Sequence, residues 1–475
     1  PAAIDQLKSL GAQLAIDLNE DMKLTLSGLY TYSWSGGSPN VMKNWDMSPG
    51  INNDGGNPAF AIQGNYADWI SDWLQASGQP RLAIVNDNRV VRGDYKAPNF
   101  CFLDDANPDW DAACAQKNDN RYYQGDAKLA WKLGAETTAT FSLGFARLDH
   151  SGITDWQYLG TENRPDIVQS KVLNAEALIN STLFGGAVDV VTGLNLFQEK
   201  SSTDAANRTV RGTSVFNGTT GGSANSNGWA GVYTVASSAV DQTSRAAGLF
   251  GSGTWHMTDK LNFTGGLRLS HDTKDIHYLR RAGSGPAPSF AGMSPANDFV
   301  PSYVGANGAT SIAVDGDDSW TVLDWRGTLD YHFTDDIMGY ATVSKAFKDG
   351  QFSYNVVANL SPSAQSSIIR PIDPEKVINY EAGLRTTWLD GRLRFNPTGY
   401  YMTWSNRQSS QQQACAPGDA SCPTGFRIVI LNTGDVDVWG VEADAQFALT
   451  DRLTLDGSMG TTRYKLDPVL NSGPY

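Results

Sequence analysis

The 475-residue chain lacks any uninterrupted apolar run near the ~18 residues that a membrane-crossing helix requires, which excludes a helical membrane protein. It lacks an excess of base: 36 Lys and Arg stand against 50 Asp and Glu, for a net charge of -14. That balance argues against a nucleic-acid partner, which would favour a basic face. There is no G-x-S-x-G elbow, no H-E-x-x-H, no P-loop and no dinucleotide fingerprint, so no catalytic constellation or cofactor is expected. No secretory signal opens the chain, which starts at Pro1 and is expected to be processed or truncated.

Cysteine is scarce. Cys101 and Cys114 form one close pair and Cys415 and Cys422 another, both in turn-rich stretches. Four cysteines allow three connectivities. Two local bridges are the simplest and would place the chain in an oxidising compartment. Two pairs of free thiols are the alternative. A zinc site is disfavoured because no histidine flanks either pair.

What the chain has is alternation at period two. In 23–33, Leu24, Leu26, Tyr30 and Tyr32 share one face, and Lys23, Thr25, Ser27 and Thr31 the other. The same pattern recurs in 123–133, 261–271 and 439–449. Such alternation means a strand with one apolar and one polar face. These runs match the roughly 9–11 residues of a tilted membrane strand better than the usual 5 or 6 of a globular sheet. A mean hydropathy of -0.34 suits a barrel, because only alternate residues meet lipid.

The connections are asymmetric. Tight turns are predicted at Asn19–Asp21, Gly134–Glu136, Phe184–Gly186, Thr258–Lys260, Thr334–Asp336, Asp390-Gly391 and Thr450-Asp451. Long Gly-, Asn-, Ser- and Pro-rich loops are predicted at about 34–120, 201–243, 272–318, 348–375 and 405–425. Short turns on one side and long loops on the other are the pattern of an outer-membrane barrel, with the long loops outside. Trp131, Trp255, Tyr331, Phe333, Trp388 and Phe447 lie beside the turns, while Tyr30 and Tyr32 lie a membrane-strand length away. Two aromatic girdles would look like this. The prediction is an all-β transmembrane antiparallel barrel over residues 1–475, with about 14 strands visible.

The stretch 340–404 carries specific pieces. They are Tyr340 through Phe347 (YATVSKAF), Lys348-Asp349-Gly350-Gln351-Phe352, Asp373-Pro374-Glu375, and Asn379-Tyr380-Glu381-Ala382-Gly383-Leu384-Arg385. Asp390-Gly391-Arg392-Leu393 and Tyr400-Tyr401-Met402-Thr403-Trp404 follow, then Asn432-Thr433-Gly434-Asp435 before Trp439-Gly440-Val441-Glu442. In order and spacing these resemble the late barrel of TonB-dependent outer-membrane receptors, over roughly 320–465. The resemblance implies a barrel of about 22 strands closed by an N-terminal plug. It also implies capture of a scarce substrate outside and uptake driven by the inner-membrane TonB complex. The default substrate would be a ferric siderophore, with cobalamin, saccharides and other organic ligands as alternatives. Implied partners are the small-molecule metal chelate, outer-membrane lipid and lipopolysaccharide, and the lipoprotein lid carried by some relatives. The plug, its energy-coupling box and the closing strands are not in the sequence, which is therefore expected to be a piece of a longer protein. A passive diffusion channel and a soluble secreted β-protein are the rival readings.

Candidate substrate contacts come from the loops and mouth. Tyr66, Trp69 and Trp73, with Ile70 and Leu74, repeat at helical spacing and would form an aromatic platform or a packed amphipathic helix. His271 and His277, near Asp272 and Asp275, are expected at a strand top and loop start, where they would serve a metal complex or be solvated. Asp315, Asp317 and Asp318 are a calcium-loop fragment without the distal Glu, and read as a solvated turn. Arg370, Lys345 and Lys348 near the outer mouth would attract an anion or simply mark strand ends.

Overall fold

The computed structural model describes residues 6–35, 117–155, 162–211, 232–286, 310–354, 369–414 and 426–466. The strands are β1 (Gln6–Asp17), β2 (Met22–Ser35), β3 (Lys117–Lys132), β4 (Thr137–Asp155), β5 (Glu162–Leu183) and β6 (Val188–Arg211). Then come β7 (Val232–Thr258), β8 (Leu261–Pro286), β9 (Thr310–Thr334), β10 (Ile337–Lys348), β11 (Gln351–Tyr354) and β12 (Ile369–Ile372). The last are β13 (Glu375–Trp388), β14 (Leu393–Ser405), β15 (Arg407–Ala414), β16 (Phe426–Thr433), β17 (Val436–Thr450) and β18 (Leu453–Leu466). No helix occurs among the described residues.

One 14-stranded antiparallel sheet runs β1 to β10, then β13, β14, β17 and β18. The pairs β11–β12 and β15–β16 are two separate small sheets inserted between neighbouring wall strands. Every tight turn predicted from the sequence joins two wall strands. Their chemistry is local. Thr258 Oγ1 accepts from the Lys260 and Leu261 amides at 3.2 and 3.0 Å, and Thr334 and Thr450 accept from the Asp336 and Arg452 amides at 3.3 and 3.2 Å. A hydroxyl two residues back thus replaces a backbone partner in the turn. The Phe184–Gly186 and Leu389–Gly391 turns instead use left-handed backbone, with glycine at Gly185, Gly186 and Gly391.

The wall has no conventional core. Leu249 and Leu267 are 60 and 61 % exposed, and Phe141, Leu143, Leu173, Leu323 and Leu384 also face outward. A soluble sheet could not leave so continuous an apolar surface to water. It is the surface that bilayer hydrocarbon covers. Trp131, Trp255, Tyr331, Phe333 and Trp388 lie exposed beside the turns, as the girdle predicts. Opposite faces carry Gln124, Asp126, Arg268 and Asn396, bonded along the inner wall: Gln124 Nε2 donates to Asp126 at 2.8 Å, and Asn396 Nδ2 to Asp444 at 2.9 Å.

The loop boundaries need correction. β6, β7, β8 and β9 run far into the stretches predicted as loops at 201–243 and 272–318. β7 is 27 residues long and β8 26. Above the lipid-facing band the outward positions become polar (Asp241, Thr243, Asp275, His277), so the apolar-polar alternation fades although the ladder continues. Likewise β15 occupies part of the predicted 405–425 loop, and β16 begins where that loop ends.

Candidate functional site at the outer mouth

On β8 the even-numbered residues face inward. Above the lipid-facing band these are Asp272, Lys274, Ile276 and Tyr278, with Trp320 and Val322 beside them on β9. Ile276 and Tyr278 are buried with Phe352 and Ile369, and Val240 and Val314 pack against that cluster. The pair β11–β12 therefore folds onto the inner face of the extended wall and covers its apolar side chains. Phe352 meets the Trp320 ring edge-on at 6.4 Å. Gly350 lies against the same ring, where a Cβ would collide with it. Lys274 Nζ donates to the Gly350 carbonyl at 2.7 Å and sits 3.7 Å from the Asp349 carboxylate.

The pair β15–β16 closes over this arrangement. The Ile430 amide donates to Ser353 Oγ at 3.0 Å, and Gln351 Nε2 donates to Gln408 Oε1 at 2.7 Å. Gln408 Nε2 in turn donates to the carbonyls of Asp349 and Asp373 at 2.8 and 3.0 Å. Glu375 is the buried centre. Its carboxylate accepts from the Gln408 amide at 2.7 Å, from Trp404 Nε1 at 3.1 Å and from Lys348 Nζ at 3.3 Å. A buried carboxylate is tolerated because three donors replace its water. Asn432 exchanges two 2.9 Å bonds with the Asp373 backbone and donates to the Asn406 carbonyl at 2.8 Å. The motif pieces Asp373-Pro374-Glu375 and Asn432-Thr433-Gly434-Asp435 thus hold two inserted pairs against the wall.

A second motif acts lower down. Tyr340 Oη donates to Glu381 at 2.8 Å, lies 3.2 Å from Thr398 Oγ1, and its ring carries the Arg385 guanidinium at 5.0 Å. Gly383 leaves room for that ring. The alternation in Asn379–Arg385 therefore sends Glu381 and Arg385 inward and Tyr380, Ala382 and Leu384 to lipid.

The predicted candidates are placed as follows. His271 and His277 are not at a loop start but within β8, on its outward face. His271 Nδ1 lies 2.9 Å from Thr321 Oγ1, and His277 Nδ1 2.6 Å from Asp315. They share the parity of Leu267 and Leu269, so the pleat turns them away from the lumen. Six residues apart, they are separated by about 20 Å. Asp272 points inward and Asp275 outward, which splits the predicted His–Asp group. Asp315, Asp317 and Asp318 belong to β9 rather than to a turn, with Asp318 on the face opposite the other two. Arg370 lies exposed on β12 opposite Ser353, at the mouth. Lys348 is engaged by Glu375, and Lys345 donates to the Leu323 carbonyl at 2.9 Å. Tyr66, Trp69, Trp73 and all four cysteines lie outside the described residues.

Burial pushes the Asp272 carboxyl up to about 6, and the neighbouring Asp349 carboxylate adds to this while Lys274, His271 and Arg268 oppose it. Among the described residues no group of three or more His, Cys, Asp or Glu side chains is arranged to hold a metal ion. The mouth is instead a hydrogen-bonded rim, braced by Glu375 and Asn432, over a polar inner wall. The sequence had marked both residues as motif members, but nothing in it assigned them this bracing role.

Residues 52–473 match the family model "TonB dependent receptor-like, beta-barrel". The pesticin receptor of Yersinia enterocolitica is 27 % identical over 194 residues, covering 41 % of this chain and 22 % of the relative. The chain thus spans well under half of that protein. Among solved structures, the ferric yersiniabactin uptake receptor of Yersinia pestis superposes with a TM-score of 0.59 at 13 % identity, over 98 % of this chain and 52 % of that one. The ferripyoverdine receptor of Pseudomonas aeruginosa gives 0.54 at 14 % identity, over 98 and 50 %. These likenesses show the fold, a β-barrel of the bacterial outer membrane. The chain belongs to the family of TonB-dependent receptors and supplies part of its barrel wall.

Proposed function

We propose that the protein containing this chain captures a ferric siderophore at its extracellular mouth and imports it with energy delivered through TonB. The observation that carries this reading is family membership over 422 residues (52 to 473), joined to a fold shared with receptors for ferric yersiniabactin and ferripyoverdine. The role is transport rather than catalysis, with the inner-membrane TonB complex and an iron chelate as partners. Two features support it. The inserted pairs β11–β12 and β15–β16 brace a polar rim at the mouth. The inner wall below is polar and charged, as a transport lumen requires. Arg370, on the exposed side of that rim, is the described residue we assign to attract an anionic chelate. Tyr66, Trp69 and Trp73 remain the aromatic contacts proposed from sequence.

The test is the abundance of the protein in its native outer membrane with and without iron, followed by uptake of radiolabelled iron chelates in a deletion strain. A strong rise on iron starvation, with loss of uptake of one chelate, is expected. Induction only by a carbon source or vitamin would overturn the iron assignment and point to a saccharide or cobalamin.

A further inference from the structure

At the end of the wall remote from the mouth, the inner face carries a second charged group. His256 lies near the end of β7, beyond the girdle residue Trp255 and outside the apolar band, and the ladder to β8 shifts register just past it. Its backbone amide donates to the Ala187 carbonyl at 3.0 Å. His256 stands opposite Asn262 on β8, and Asn262 opposite Asp330 on β9. All three share the parity of Arg268 and face the lumen. Asp189 on β6, opposite Thr182 on β5, faces the same way.

The hydrogen bonds in this row have fixed directions. Asp330 accepts from Asn262 Nδ2 at 2.7 Å. A carboxylate only accepts, so the Asn262 amide is held with its NH2 toward Asp330 and its carbonyl toward His256. His256 Nδ1 lies 2.8 Å from that carbonyl oxygen and must donate to it. At the other end, the Asp189 carboxylate accepts from Thr182 Oγ1 at 2.7 Å and lies 3.0 Å from His256 Nε2, which must donate as well. Both ring nitrogens then carry hydrogen, and His256 is an imidazolium. A neutral ring has no place in the row. Whichever nitrogen loses its proton faces an acceptor, and turning Asn262 over would set its carbonyl against Asp330. The hydrogen bond from the ring to Asp189, and then that to Asn262, hold the His256 proton above the ordinary imidazole range, with the Asp189 and Asp330 charges adding to this against a smaller opposing effect of burial. On β9 His332 lies 3.9 Å from Asp330, and on β10 Tyr340, opposite Asp330, is turned to Glu381.

We propose that Thr182, Asp189, His256, Asn262 and Asp330 are a proton-operated clasp at the periplasmic rim of the wall, closed while both ring nitrogens of His256 are protonated and slackened when one is not. The clasp joins β5 to β9 by side chains where the β7–β8 ladder is interrupted. Its sign follows from where the proton is held. The folded state binds that proton more tightly than the unfolded chain, so the clasp contributes fully below about pH 6.5 and is lost as pH rises through the higher folded value. His256 and Asp189 are half-exposed, so water takes up the broken bonds and the effect stays at the rim. The clasp is at the far end of the wall from the mouth and is independent of what the lumen carries.

The test uses the full-length receptor in neutral detergent, with nuclear magnetic resonance of isotope-labelled histidine and hydrogen exchange of the rim amides, both followed through the imidazole range. The His256 signal, identified by its loss in His256→Gln, should show both nitrogens protonated at neutral pH and a midpoint above about 6.5. Asp330 does not bond to the ring, but Asp330→Asn frees the Asn262 amide to turn over. The midpoint should then fall toward about 6.5, and the neutral ring should keep its proton on Nε2. Asp189→Asn should lower the midpoint too, with the proton left on Nδ1 instead. Exchange at the rim ends of β6, β7 and β8, corrected for its intrinsic pH dependence, should quicken as His256 deprotonates in the wild type. In His256→Gln that step should be absent, and strands at the mouth should show none in either protein. A bare ring nitrogen at neutral pH, a titration unmoved by Asp330→Asn, or rim exchange without a step at the His256 midpoint would overturn the proposal.

Discussion

The two halves of β8 are inverted versions of one strand. In its lower half Leu267 and Leu269 face outward, 61 and 48 % exposed, while Arg268 and Ser270 face the lumen. In its upper half Ile276 and Tyr278 face inward, 3 and 0 % exposed, while Asp275 and His277 face out. Pairing with β9 is continuous from Leu261 to Ala282, with no bulge to swap the faces. The inversion is therefore written in side chains and not in backbone. Below, hydrocarbon solvates the outer face. Above, water does, and apolar side chains are useful only where β11–β12 can cover them.

The comparison can be broken from either side. The largest effect is expected above the membrane. Phe352→Ala removes the ring that covers Ile276 and Trp320 and should cost about 3–5 kcal/mol of local stability. Hydrogen exchange should show β11 and β12 losing protection while the wall strands keep theirs. Equal loss throughout would mean that the inserted pair and the wall form one cooperative unit. Next, Leu267→Arg places a charge in mid-bilayer and should cost about 2–4 kcal/mol in reversible unfolding from lipid vesicles, whereas Thr273→Arg, outward but higher, should cost less than about 1 kcal/mol. Similar costs at both sites would put the lipid boundary in the wrong place.

The smallest effect concerns pH. The Asp272 carboxyl titrates near 6 when folded, against an ordinary 3.8. Between those values the folded state holds more proton, so the mouth gains stability as pH falls from 7 through 6 and levels off below about 4. Protection of β11–β12 should follow that curve, and Asp272→Asn should flatten it. A pH-independent profile in the wild type would show that Asp272 is better solvated than its burial implies.

Much of the wall was legible in the sequence. Thr258, Thr334 and Thr450 specify their turns within three residues, and alternation over a membrane-strand length specifies the strands between. The inserted pairs were not legible. β11 and β12 are each four residues long, too short for periodicity to register. The role of Glu375 depends on Trp404 and Gln408, which are 29 and 33 residues away in the chain. His271 and His277 were expected at a strand top and loop start, because the fading alternation hid that β8 continues past both.

The sequence by itself determined the fold class, the membrane-facing surface and the family, because each rests on local patterns that repeat strand after strand. Only the tertiary structure decided how far strands continue above the membrane, which side chains close the mouth, and that Arg147, Lys171 and Lys200 stand in one row. Register across three antiparallel strands sets that row, and register depends on turn lengths and pairing rather than on the residues that end up adjacent.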